Sequence, residues 1–210
     1  EVDATMLQLQ VGRSIKWRAI FVESAFIGAS ILLAFALQDW DEAKDIEERT
    51  QIAMCNVKSE LSFNQVLIER GYLPKQKGLL ASINAVVAVT QRGEADNLSL
   101  ANLEQMLVQE SLRYSAWSLA AESGYMLHAN FELATEIGAV IEFQKDSYQP
   151  VINRLNEALF DSGQTFNDDP TSSQIKLLSL TNEWISKTRY LQSKYEQLFG
   201  REDFISLACL

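Results

Sequence analysis

Read for the alternation of apolar and polar positions, the chain opens on its least ambiguous element. The stretch AIFVESAFIGASILLAFALQ, beginning at Ala19 and running through Leu37, is almost continuously apolar. At 1.5 Å per residue, about 20 residues cross the roughly 30 Å hydrocarbon core of a bilayer. Trp17 and Trp40 bracket it at the depth where interfacial aromatics anchor a span. A cleavable signal is the main rival. However, the run is long for a signal core and passes directly into a helix-forming segment. A transmembrane helix over 19–38 is therefore expected, with a flank at 1–18 and a domain at 39–210.

Beyond Trp40 the period changes from solid apolar to amphipathic. Ile46, Ala53, Val57, Leu61 and Ile68 recur at three-to-four spacing, and no breaker intervenes before Gly71 and Pro74. The pattern predicts that the membrane helix continues as one rod to about Arg70, with GYLPKQKG as a turn. It further predicts helices over Leu79–Thr90, Leu100–Ser111 and Ala116–Ser123, the last stopped by Gly124. The loop EADNLS would supply Asn97 or Ser99 as a cap. A long helix from Asn130 to Phe160, bent near Pro150, follows. DSGQTFNDDPTSS reads as a loop. Ile175–Leu198 closes the set, with Leu178, Ile185, Tyr190, Leu191, Tyr195 and Leu198 as its core face. The expected fold is all-α: one N-terminal transmembrane helix continuing into an antiparallel helical bundle.

Composition agrees with long helices, since only three prolines and nine glycines occur in 210 residues. The 47% hydrophobic content suffices for one ordinary core plus a span. A formal charge of −10 argues against nucleic acid as a partner, because phosphate binding needs basic residues. Glu1 stands where an initiator methionine is expected, so the N-terminus reads as processed or as preceded by further residues. Cys55 and Cys209 lie far apart. They could pair in an oxidising compartment, but their spacing favours two isolated, mostly buried thiols.

Charge next to the span suggests its orientation. Arg13, Lys16 and Arg18 crowd the N-terminal side, whereas Asp39, Asp41, Glu42 and Asp45 open the other with only Lys44 near, and Arg49 and Lys58 further on. By the positive-inside rule the N-terminus is expected in the cytoplasm and the domain outside, in a bacterial inner membrane with a periplasmic bundle. Glu23 breaks the apolar run. It lies five residues past Arg18, so a bond to Lys16 or Arg18 at the interface, a polar contact to another membrane helix, or a proton relay are the readings open to it. Small residues recur at i, i+4: Ser24 with Gly28, Ala25 with Ala29, Ser30 with Ala34. That spacing lets a second helix approach closely.

Glu23 followed by AFALQDWDE at Ala34–Glu42 resembles a family of small bacterial single-span membrane proteins of unknown function. These carry a Glu in the first half of the span and an ALQ-x-W-(D/N)-E exit. A second similarity is a Trp followed by a Ser-Gly and later by a Tyr in a helix, here Trp117, Ser123-Gly124 and Tyr148, and the likeness covers about two-thirds of the chain. Where the family tends to have a mid-span Gly, this chain has Ser30, with Gly28 nearby. The resemblance implies the architecture and no activity.

Chemistry is thin. His128 is the one histidine and stands without cysteine neighbours or HExxH spacing, so a capping or exposed role is expected of it. No nucleophile elbow, P-loop or GxGxxG occurs. Asp41, Asp45 and Glu48 share a helix face and read as solvated, and Asp168-Asp169-Pro170 as turn and cap. Tyr114, Trp117 and Tyr125 could line a small pocket but read more readily as core. No catalytic, cofactor or metal residue is therefore assigned. The expected function is that of a non-enzymatic accessory or scaffold subunit in a respiratory, photosynthetic or transport complex. Its partners would be other transmembrane helices and the lipid bilayer. The alternative is an extracytoplasmic sensor or small-ligand-binding bundle.

Overall fold

The computed structural model describes residues 17–91, 106–160 and 170–209. Among them the chain is all-α, without a strand. Helix α1 is Trp17–Leu67, and the chain divides into two compact units between Asp45 and Ile46. In the first unit the helix carries an apolar run that is exposed along its whole length, with Phe26 at 72% and Leu32 at 70%. It is long and apolar enough to cross a membrane.

The second unit is a bundle. A π-helical turn, Ile68–Tyr72, joins α1 to α2 (Leu73–Gln91). An irregular segment leads to α3 (Ser115–Glu122) and a 3-10 turn, Tyr125–His128. Then come α4 (Phe131–Glu142), a second π-helical turn (Phe143–Tyr148) and α5 (Gln149–Phe160). Helices α6 (Pro170–Phe199) and α7 (Glu202–Ile205) complete it. Helix α6 packs against α2, α4 and α5. The α1 stripe is buried as its period requires at Val57, Leu61 and Ile68, with Ala53 half-buried.

The three prolines explain the interruptions. Pro170 begins α6, where its missing N–H breaks no bond. Pro74 and Pro150 fall at the second position of α2 and α5, and each is preceded by a π-helical turn. The residue before each reaches five back instead of four: Leu73 N–H to the Ile68 carbonyl, Gln149 N–H to the Gln144 carbonyl. That widening accommodates a ring that would otherwise meet the carbonyl one turn earlier. GYLPKQKG is accordingly not a turn, because the helical path continues through it. The long helix from Asn130 is interrupted before Pro150 rather than at it. Asn130 caps α4, accepting from Leu133 N–H at 3.1 Å. Gly124, at φ 80°, ends α3 in the left-handed region that a side chain would strain.

Three expectations are corrected. Leu107–Ser111 are not helical: Leu107–Tyr114 runs as an irregular strap. Two asparagines hold it. Asn156 accepts from Val108 N–H at 2.9 Å and donates to its carbonyl at 2.8 Å. Asn64 does the same at Arg113, at 2.8 and 2.7 Å. Each amide replaces a peptide partner, so the strap's backbone is satisfied without a helix. Asn97, Ser99, Gly93, Asp168 and Asp169 lie outside the described residues. Helix α6 begins five residues before the expected Ile175, and its core face is rotated: Leu177, Leu180 and Trp184 are buried, whereas Tyr190 is exposed. Leu191, Tyr195 and Leu198 are buried as expected. Polar Gln174, Thr181 and Thr188 occupy buried positions of the stripe, which hides it from an apolar count.

The cysteines are also not isolated thiols. Cys55 and Cys209 form a disulfide, with Cα atoms 5.4 Å apart. The tail reaches Cys55 because α1 presents Gln51, Cys55 and Lys58 on one face. Lys58 Nζ donates to the carbonyls of Phe204 and Ile205 at 2.8 and 3.1 Å, and Gln51 to that of Ala208 at 2.8 Å. Phe204 is fully buried against Phe199, with centroids 5.2 Å apart. Replacing Cys209 by Ser should lower stability of the bundle by about 2–4 kcal/mol, since the unfolded chain regains the freedom of a 154-residue loop. Urea unfolding of the full chain in nanodiscs, with Trp17, Trp40 and Trp117 replaced by Phe so that fluorescence reports Trp184, would measure it. An unchanged midpoint would show that the tail contacts suffice alone.

Candidate functional site

The residues expected to matter in the span, Glu23, Ser24, Ala25, Gly28, Ala29, Ser30 and Ala34, are all exposed on α1. Trp17 and Trp40 are 66% and 65% exposed, with the Lys44 ammonium 5.7 Å from the Trp40 ring centre. Arg13 and Lys16 lie outside the described residues, as does the Arg18 side chain. Ser30 Oγ donates to the Phe26 carbonyl at 2.8 Å, so its hydroxyl is satisfied within its own helix. A Cβ added at Gly28 would meet nothing within 4 Å. The small-residue face is therefore open to a neighbour, and a carboxylate shares its helix.

In the bundle, the largest polar assembly is internal. Trp184 Nε1 donates to Tyr148 Oη at 2.9 Å. Thr188 Oγ1 lies 2.9 Å from Tyr148 Oη and donates to the Trp184 carbonyl at 2.8 Å. Thr188's one proton is thereby committed, so Tyr148 donates to it and the four groups close a ring. Gln76 adds a bond to Thr188, and Tyr72 stacks on Tyr148 with centroids 6.1 Å apart while donating to the Glu110 carbonyl. Tyr195 donates to Gln144 Oε1, which also accepts from Asn64 at 3.3 Å. Gln144 Nε2 is buried without a partner, at a cost of about 1–3 kcal/mol. These groups are core, sealed from substrate: Tyr72, Tyr148, Trp184 and Tyr195 are each at most 1% exposed.

Burial fixes their ionisation. Desolvation pushes the Tyr148 phenol up to about 12 and raises Tyr72 and Tyr195 further. The fold favours the neutral phenol, whereas in the unfolded chain it ionises near its ordinary value of about 10. The contribution is thus complete below pH ~10 and is lost as pH rises through the folded values. The unfolding midpoint should be level to pH ~10 and then fall, by up to about 1.4 kcal/mol per pH unit per tyrosine. With Tyr114, Tyr125 and Tyr190 replaced by Phe, tyrosinate absorbance at alkaline pH should appear with loss of helical circular dichroism. Absorbance rising well before unfolding would contradict the sealed core.

A second buried group orders α3. Glu60 accepts from Ser115 Oγ and Ala116 N–H, both at 2.9 Å, and from Trp117 N–H at 3.4 Å. The residue at the cap itself, Tyr114, offers no side-chain bond. A carboxylate from α1 thus satisfies the free N–H groups of α3 and faces the positive end of its dipole. Glu60→Gln should destabilise the bundle by about 1–3 kcal/mol, because an amide cannot accept at both positions. An unchanged unfolding midpoint would refute this capping role.

Tyr114, Trp117 and Tyr125, which read more readily as core than as a pocket, are none of them fully buried. Tyr114 carries the Lys145 ammonium 5.4 Å over its ring, Trp117 lies against Gly138, and Tyr125 lines a groove. His128 is exposed in the 3-10 turn. Asp41, Asp45 and Glu48 are exposed, and no group of metal-ligating side chains occurs among the described residues.

Reasoning from sequence missed the groove. It encloses about 490 Å³ between α1 and α3. Ile52 and Leu119 stand at its walls, 54% and 70% exposed, above a floor that includes Ala53, Ala116 and Ala120. Arg49 is the only charged lining residue, and its Nη1 donates to Tyr125 Oη at 3.5 Å. Thr50 Oγ1 donates to the Tyr125 carbonyl at 3.4 Å, fixing the turn that carries the phenol.

No family model matches the chain, and no curated protein or solved structure is similar to it.

Proposed function

We propose that this chain is a non-enzymatic accessory or scaffold subunit of a larger membrane protein complex, of the respiratory, photosynthetic or transport kind. Its span would pack against other transmembrane helices, and its bundle would dock on the extracytoplasmic side. The observation that carries this is the exposed apolar helix bearing Glu23 and an open small-residue face. Lipid alone gives no return for either feature: a carboxylate in the span costs about 2–4 kcal/mol unless it meets a polar partner. Small residues surrender contact area unless another helix fills it.

Two observations support placing the bundle in the periplasm with the N-terminus in the cytoplasm of a bacterial inner membrane. Arg13, Lys16 and Arg18 precede the span, and the Cys55–Cys209 disulfide belongs to an oxidising compartment. The same reading puts the chain with the single-span family that its ALQDWDE exit resembles. A second reading, an extracytoplasmic ligand-binding module, is favoured by the α1–α3 groove.

Native purification in mild detergent followed by mass spectrometry tests the subunit reading. A stoichiometric complex is expected, and Glu23→Leu should dissociate it or lower the chain's abundance while leaving the disulfide formed. A monomer without a stable partner, or a Glu23→Leu chain that assembles normally, would overturn it.

A further inference from the structure

We propose that the connection between α3 and α4, residues 124–131, is a lipid-docking tip that seats Leu127 and Phe131 in the headgroup region of a bilayer. This rests on the reading of α1 as a membrane span and is independent of the subunit reading.

Leu127 and Phe131 are 86% and 82% exposed, more than any other large apolar side chain among the described residues, those of the span included. Local geometry produces this display. Gly124, at φ 80°, turns the chain at the end of α3. The 3-10 turn that follows packs Met126 on the core, and at three residues per turn its neighbour Leu127 faces away. Asn130 caps α4, which makes Phe131 the first residue of that helix, whereas Leu133 two positions on is buried. A pair this exposed is unfavourable in water and marks a surface that something covers.

Where the turn is fastened points to lipid. Thr50 Oγ1 donates to the Tyr125 carbonyl at 3.4 Å and Arg49 Nη1 to Tyr125 Oη at 3.5 Å, so the tip sits where α1 enters the bundle. Thr50 stands ten residues beyond Trp40, the aromatic that closes the span. Ten residues reach at most about 35 Å by any path, which holds the tip at high local concentration against the lipid surface. A protein partner could cover such a pair anywhere on the bundle, whereas a bilayer reaches it only beside this entry. Composition agrees. In a protein of net charge −10, residues 124–131 read GYMLHANF and contain no carboxylate. Aromatic and aliphatic side chains mixed with small polar ones suit a headgroup boundary. Glu122 and Glu132 flank the tip, and the Glu132 carboxylate lies 3.9 Å from the Arg201 guanidinium.

The full chain, carrying photoreactive benzoylphenylalanine at one position at a time, would be irradiated in phosphatidylcholine nanodiscs and its adducts identified by mass spectrometry. The positions are Phe26 in the span, Leu127, Phe131, and Val66, which is 47% exposed and lies sixteen residues beyond Thr50 on α1. Lipid adducts are expected at 26, 127 and 131 and not at 66. Leu127→Asp should lower the lipid adduct at 131 about ten-fold, the loss of one leucine's transfer from water. Because Leu127 is exposed, the disulfide and the helical circular dichroism should be retained in that variant. A missing lipid adduct at 127 or at 131, with 26 labelled, would overturn the docking tip and leave the span standing. No lipid adduct at 26 either would overturn both. Adducts at 127 and 131 to a second copy of the chain instead of lipid, lipid adducts at 66 equal to those at the tip, or an adduct at 131 indifferent to Leu127→Asp would also overturn the tip.

Discussion

A proline cannot donate a backbone hydrogen bond, and much of the bundle's interior follows from where two of them fall. Ahead of Pro74 and Pro150 the helix widens by one residue per turn, and each widened turn ends on a tyrosine, Tyr72 and Tyr148. The two rings stack on one another, and Tyr72 also meets Trp184 at 5.8 Å. The insertion that relieves the proline ring thus carries a phenol into the centre of the domain. Once there, its hydroxyl must be bonded, which is why Thr188 and Trp184 occupy the facing turn of α6.

The same need to satisfy buried polar groups organises the periphery. Asn64 and Asn156 pair with the strap at Leu107–Tyr114, and Glu60 caps α3 from a different helix. In each case a side chain on a regular helix completes the backbone of an irregular or short neighbour. These segments owe their shape to α1 and α5 more than to their own propensities.

That explains what could be read from the sequence. The apolar span, the α1 stripe at Val57, Leu61 and Ile68, the stop at Gly124 and the cap at Asn130 depend on local spacing, and all were legible. The strap was not, because LANLEQMLVQE has helical periodicity and the amides that compete with it stand tens of residues away. The α6 face was misjudged because Gln174, Thr181 and Thr188 are buried among apolar neighbours. One signal was present and informative: Tyr72-Leu73-Pro74 and Tyr148-Gln149-Pro150 repeat a Tyr-x-Pro pattern that marks both widened turns. The groove had no such signature, since Arg49 and Tyr125 meet only through the fold.

The Cys55–Cys209 bond also changes what the bundle is as a covalent object. It closes a ring that contains α2 through α7 and every connection between them. A protease that cuts one of those connections opens the ring without releasing a fragment, so the nicked domain remains a single molecule. Such a ring makes one cleavage survivable and two necessary for loss.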